Sequence, residues 1–218
     1  MAEPLAFYFD FISPYAYLAW HGVHRLAEKH GRSVTPVPIL FASLLNAHGH
    51  KGPAEIEPKR LYTGKHVMRL GHDHGLRLVP PPVHPFNPLL PLRVACIAMP
   101  AADKRRLITA IYDAIWAEGG GVHDEPLLAR ALTAAGFDAA ALIAEAKTDA
   151  VKLMLREQSD RALALGCFGV PTIVADGELF WGFDAFPHID RFLAGKDPID
   201  PVQLEKWKKA VVSGAKRI

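Results

Sequence analysis

A run of aromatic and apolar residues, Leu5-Ala-Phe-Tyr-Phe-Asp-Phe-Ile12, stops abruptly at Ser13-Pro14. Such a run suits a buried β-strand. Serine caps a helix by accepting from its first free N–H groups, and proline suits the first helical position, whose N–H has no partner in any case. A helix is therefore predicted to start at Ser13, with Tyr17, Leu18, Val23 and Leu26 on its apolar side and Gly31 as its end. Ser33 to Phe41 reads as a second strand, and its prolines favour an edge or a strand start. Strand, helix and strand in succession imply a parallel pair with a right-handed crossover, which places the chain in the α/β class.

After Phe41 the pattern becomes helical. Residues 42–58 read as a long loop with one short helix, and Lys59 to His74 as a helix. Six prolines between 79 and 91 make a rigid connector, in which Asn87-Pro88 looks like a cap followed by the first residue of a helix over 88–99. Pro100 opens another helix, with Leu107, Ile111, Ala114 and Ile115 on one face, ended by Gly119-Gly120-Gly121. Asp124 caps a helix to Gly136, and Asp138 caps a pattern that persists to Gly166. Strand character returns at 170–174, turns at Asp176-Gly177 and pairs back through Glu178 to Trp181. A last helix is predicted from Ala185 to Leu193, ended by Gly195. The polar tail from Lys196 carries Val202, Leu204 and Trp207 as docking points.

Composition excludes several classes. The 25 Lys and Arg against 23 Asp and Glu leave a net charge of +2 over 218 residues. Lys104-Arg105-Arg106 is offset by Asp103, Asp113 and Glu118, so no basic face for nucleic acid is expected. The aromatic run at Phe7–Phe11 reads as core strand, without the flanking basic residues of a base-stacking platform. No apolar run reaches the ~18 residues of a membrane span. Met1-Ala2-Glu3-Pro4 lacks the basic start and apolar core of a signal peptide, so a cytoplasmic location is expected. Two cysteines, Cys96 and Cys167, exclude a disulfide framework. Among the 11 histidines the tightest pairs are His48-x-His50 and His72-x-His74; residues two apart share no helix face, and no metal site is expected.

A β-α-β unit, a helical insertion and a β-β-α unit opening with Val-Pro together resemble the thioredoxin fold. More narrowly, Phe7-Tyr-Phe-Asp-Phe-Ile-Ser-Pro-Tyr-Ala-Tyr-Leu18 and Gly169-Val-Pro-Thr-Ile-Val174 resemble the family of 2-hydroxychromene-2-carboxylate isomerases and kappa-class glutathione transferases. Pro85-Phe-Asn-Pro-Leu-Leu90, with Leu92-Arg93 after it, is similar to the isomerase branch. The resemblance spans roughly 5–193. It implies a discontinuous thioredoxin-like domain, 1–41 with 166–218, and an inserted helical domain at 42–165. It further implies glutathione as cofactor, a cis Val170-Pro171 bond facing the helix start, a small aromatic carboxylate as substrate, and a homodimer.

Disulfide oxidoreductases of this fold begin the first helix with Cys-x-x-Cys; here the run is Ser13-Pro14-Tyr15-Ala16. Thiol–disulfide exchange needs an attacking thiolate and a resolving thiol, so it is not expected. A helix N-terminus nevertheless favours an anion. Ser13 is then the expected catalytic group, its hydroxyl donating to the thiolate of glutathione and keeping it charged. By the same resemblance, Val170 and Pro171 would pair with the cysteinyl part, and Trp181, Phe183 and Asp184 would meet the γ-glutamyl end, with Asp184 on its ammonium. The isomerases' Gly-x-Asp-Arg-Leu pattern is broken here by Ala185 in the arginine position. For the substrate, Asn87 and a lysine, Lys51 or Lys59, are the expected contacts, with Asn46 an alternative. The activity implied is cis–trans isomerisation with the thiolate as nucleophilic catalyst. A conjugating transferase and a non-catalytic binding protein using the same groove are the alternatives.

Overall fold

The computed structural model describes residues 2–210. Its first strand, β1 (Leu5–Phe9), leads into helix α1 (Pro14–Lys29) and strand β2 (Val34–Pro38). β3 (Thr172–Ala175) and β4 (Glu178–Trp181) complete a four-stranded sheet in the order β2-β1-β3-β4. β1 and β2 are parallel, from Leu5↔Val34 to Phe9↔Pro38, while β3 runs antiparallel to both β1 and β4. Pro36 and Pro38 thus sit on an edge strand, where a missing N–H breaks no ladder on the open side. Asp176 and Gly177 form the β3–β4 turn with φ of 48° and 86°, a conformation their short or absent side chains allow.

Between the halves lie α2 (Phe41–His48), a 3₁₀ turn (Pro53–Glu55), α3 (Glu57–Asp73), α4 (Leu89–Cys96), α5 (Ala101–Tyr112), a π-helical turn (Asp113–Ala117), α6 (Glu125–Ala134), α7 (Ala139–Ala146) and α8 (Asp149–Ala164). This is the thioredoxin-like α/β fold with a large helical insertion that the sequence implied. Alternation along β1 divides its burial. Phe7 and Phe9, with Phe11 beyond the strand, pack on Trp20 and Tyr112 in the main core, which extends through Leu92, Leu107, Leu128 and Leu155. Tyr8 faces the other way, onto Ile39, Leu44, Ala162, Cys167 and Val170.

Several boundaries differ from the sequence reading. β1 ends at Phe9 because Asp10 turns the chain, its carboxylate accepting from the Ile12 N–H. The one short helix expected within 42–58 is α2, which starts one residue earlier, at Phe41. α4 stops at Cys96, where Lys104 donates to the carbonyls of Ala95 and Ile97 and closes the helix end. The pattern from Asp138 to Gly166 is two helices, interrupted at Lys147-Thr148, with the Thr148 hydroxyl capping α8. The last helix is a 3₁₀ turn (Phe183–Ala185) followed by α9 (Phe186–Leu193). The tail forms α10 (Pro201–Lys209), and it docks nowhere on the described residues: Val202, Leu204 and Trp207 are all exposed, Trp207 by 79%. Among the described residues no helix is long and apolar enough to cross a membrane.

Candidate active site

Ser13 is the N-cap of α1, as its place before Pro14 dictates. Its backbone is extended (φ −94°, ψ 115°), and its Oγ accepts from the Ala16 N–H at 3.2 Å. The hydroxyl proton is directed elsewhere: Ser13 donates to the Val170 carbonyl across 3.5 Å, a long bond that a better acceptor can displace. The Val170–Pro171 peptide is cis, as the likeness implied. The segment before Ser13 is tied down from three sides. Asp10 accepts from the N–H groups of Ile12 (3.0 Å) and Phe41 (2.9 Å), joining the end of β1 to the start of α2. Trp116 donates its indole N–H to the Phe11 carbonyl at 2.9 Å. His84 donates Nε2–H to the Ile12 carbonyl at 3.0 Å, and burial lowers its pKa, which keeps the ring neutral. A helix start held in this way is a preorganised place for negative charge.

Ser13 opens into a groove of about 2510 Å³, walled by α1, α3, the 49–56 loop, the proline connector and the Phe168–Pro171 and Trp181–Asp184 segments. A single small ligand fills ~300–1000 Å³, so the space suits a cofactor and a substrate together. Of the residues singled out from sequence, Ser13, Lys51, Lys59, Val170, Pro171, Trp181, Phe183 and Asp184 all line it. Asn87 is outside the groove lining: it is exposed, and its side chain accepts from the N–H of Leu89, the first residue of α4. Asn46 is likewise outside the lining. Asp184, by contrast, caps nothing, because neither the 3₁₀ turn nor α9 takes a side-chain cap bond, and its carboxylate is exposed. Gly182, at φ +94°, lies so close to Asp184 that a Cβ there would run into Oδ1.

The lining is mixed in charge: Glu55, Asp184 and Asp190 bring carboxylates, while Arg25, Lys29, Lys51, Lys59 and Arg60 bring cations, three of these five from the 49–56 loop and the start of α3. The sulfurs take no part. Cys96 and Cys167 are buried in separate clusters, and burial pushes their thiols up to about 12 and about 11. Neither is a nucleophile near neutral pH, and with serine at the helix start the site has no means of dithiol exchange.

The model of the DSBA-like thioredoxin domain matches residues 4–194. The chain belongs to the DSBA-like thioredoxin family. Within it, the chain is 28% identical over 191 residues to a 2-hydroxychromene-2-carboxylate isomerase of Pseudomonas sp. (strain C18), covering 87% of this chain and 89% of that protein. It is 25% identical over 220 residues to glutathione S-transferase kappa 2 of Caenorhabditis elegans, covering 94% and 96%. A solved structure of 2-hydroxychromene-2-carboxylate isomerase superposes with a TM-score of 0.81 over 95% of this chain and 99% of that one at 23% identity, which fixes the fold. The DSBA-like frame also shows what the sequence reading missed. Asp10, His84 and Trp116 hold the helix start, and only Asp10 gave a signal, as a charged residue inside an apolar strand run.

Proposed function

We propose that this chain is a glutathione-dependent isomerase of the 2-hydroxychromene-2-carboxylate type, acting in the breakdown of aromatic compounds. The observation that carries the reading is the Ser13 hydroxyl, set at the open N-terminus of α1 against Val170 and facing a groove with room for two ligands. The residues present fit glutathione: a hydroxyl donor and helix N–H groups for its thiolate, the Val170 backbone for its peptide, and an uncapped Asp184 for its ammonium. Bound there, glutathione would supply a sulfur nucleophile for the isomerisation and be regenerated at its end. The Ser13 hydroxyl donates a hydrogen bond that holds the sulfur in its charged form. Lys51 and Lys59 attract the substrate carboxylate, and the apolar walls exclude water.

Two measurements test this. Calorimetry is expected to show glutathione binding at micromolar to low-millimolar affinity, weakened about tenfold by Asp184→Ala, the size of one charge-assisted hydrogen bond. Gly182→Ala, which displaces Asp184, is expected to weaken it similarly. No binding at about ten millimolar (~−2.7 kcal/mol) sinks the reading. During turnover of 2-hydroxychromene-2-carboxylate the free thiol concentration should stay constant; stoichiometric loss would favour the kappa-class transferase reading instead, which the relative from Caenorhabditis elegans makes the nearest rival.

A further inference from the structure

One cluster in the groove is unused by the roles above. Tyr15, in the first turn of α1 and two residues beyond Ser13, places its hydroxyl 2.8 Å from Nδ1 of His66 on α3. Tyr62, one turn earlier on α3, stacks on the same imidazole (5.8 Å between centroids, 29°) and holds the ring plane. Tyr15, Tyr62, Thr63 and His66 all line the groove that Ser13 enters. The pair is a phenol and an imidazole, 51 residues apart in sequence, brought into hydrogen-bond contact in the groove that Ser13 also lines.

We infer that Tyr15 is the proton donor to the ketone oxygen of the substrate, with His66 as the residue that positions it. The inference rests on the isomerase reading. Sulfur attack forms a C–S bond and pushes the carbon–carbon π pair toward the neighbouring ketone, whose oxygen gains charge. In its Nδ1–H tautomer His66 donates to the Tyr15 oxygen, leaving the phenol proton free to turn to the substrate. That proton moves to the ketone oxygen, and the phenolate left behind keeps the Nδ1–H bond. When the C–S bond breaks, the pair returns, the new O–H bond breaks and Tyr15 regains its proton. Nothing is consumed, as an isomerisation requires. Partial burial raises the phenol pKa, with the Thr63 side chain opposing and Tyr62 and Asp184 reinforcing, so the donor remains protonated throughout the neutral range.

Tyr15→Phe keeps the ring and removes one oxygen, and His66→Ala removes the positioning bond. Each protein is compared with wild type in three ways: calorimetric binding of benzylidenepyruvate without glutathione, calorimetric binding of glutathione, and isomerase turnover. Expected for Tyr15→Phe are a roughly tenfold weaker affinity for the keto acid, unchanged glutathione affinity, and turnover lower by about 10²-fold. His66→Ala is expected to fall between wild type and Tyr15→Phe, and the double variant to be no worse than Tyr15→Phe, because the two act as one unit. Turnover and keto acid affinity of Tyr15→Phe within twofold of wild type would overturn the inference while leaving the isomerase reading intact. Loss of glutathione affinity in Tyr15→Phe would overturn it too, by moving Tyr15 into the cofactor site. A wild type that neither isomerises the chromene acid nor binds the keto acid would remove the underlying reading, and this inference with it.

Discussion

Ser13→Ala is expected to lower glutathione-dependent turnover about 10²-fold, the cost of removing one preorganised donor from developing or resident negative charge. The ultraviolet absorbance of bound thiolate at neutral pH should fall at the same time, because the bound thiol loses the hydrogen bond that favours its ionised form. The serine has two roles, and alanine removes both: its oxygen accepts from the Ala16 N–H, and its proton is directed at Val170. Losing the cap alone costs about 1 kcal/mol of stability, whereas glycine in the same position loses only a few tenths. Ser13→Gly therefore separates the roles. Both variants should lose activity alike, and Ser13→Ala alone should show an appreciable drop in unfolding midpoint. Activity retained in Ser13→Gly but lost in Ser13→Ala would assign the serine to helix capping and end its catalytic role.

The parts of the site legible in the sequence are those written in local grammar. Ser13-Pro14 after an apolar run specifies a capped helix start, and Asp176-Gly177 between two short strands specifies a hairpin; both are found as read. Val170 and Pro171 belong to the same class once the fold is known. Asn87 shows a limit of local grammar, since an amide ahead of a proline reads equally as a cap or a ligand contact; its side chain accepts from the Leu89 N–H, outside the groove lining. What sequence does not reveal is contact across distance. His84 reaches Ile12 over 72 positions, Trp116 reaches Phe11 over 105 and His66 reaches Tyr15 over 51. No periodicity encodes these meetings, because each depends on how the connector and α3 fold back over α1. The break at Lys147-Thr148 was hidden for a different reason: alanine-rich sequence continues the helical pattern through it, and only a threonine cap marks the new start.

Asp10 carries the largest expected effect on stability. It is fully buried, and burial raises its pKa from 3.8 to about 7, the two backbone N–H bonds from Phe41 and Ile12 opposing the shift without cancelling it. Between those values the folded protein binds a proton that the unfolded chain has released. Stability from this group is therefore complete below pH ~4 and is lost as pH rises towards 7, by about 4 kcal/mol in total. Asp176 and Asp190 work in the opposite sense and in a lower range: Arg32, and Lys29 with His30, lower their pKa values, so their stabilisation is present above about pH 4 and is lost as pH falls further. The informative quantity is the difference between wild type and Asp10→Asn, in which every other group titrates equally. Asparagine keeps the acceptor for the Ile12 N–H but opposes its own amide N–H to that of Phe41, at a cost of about 1–3 kcal/mol. Urea unfolding should then show the variant less stable than wild type at pH 4.5 and the gap closing or reversing by pH 7.5. A gap that stays constant across that range would mean Asp10 is ionised throughout, and that its two backbone hydrogen bonds outweigh the cost of its burial.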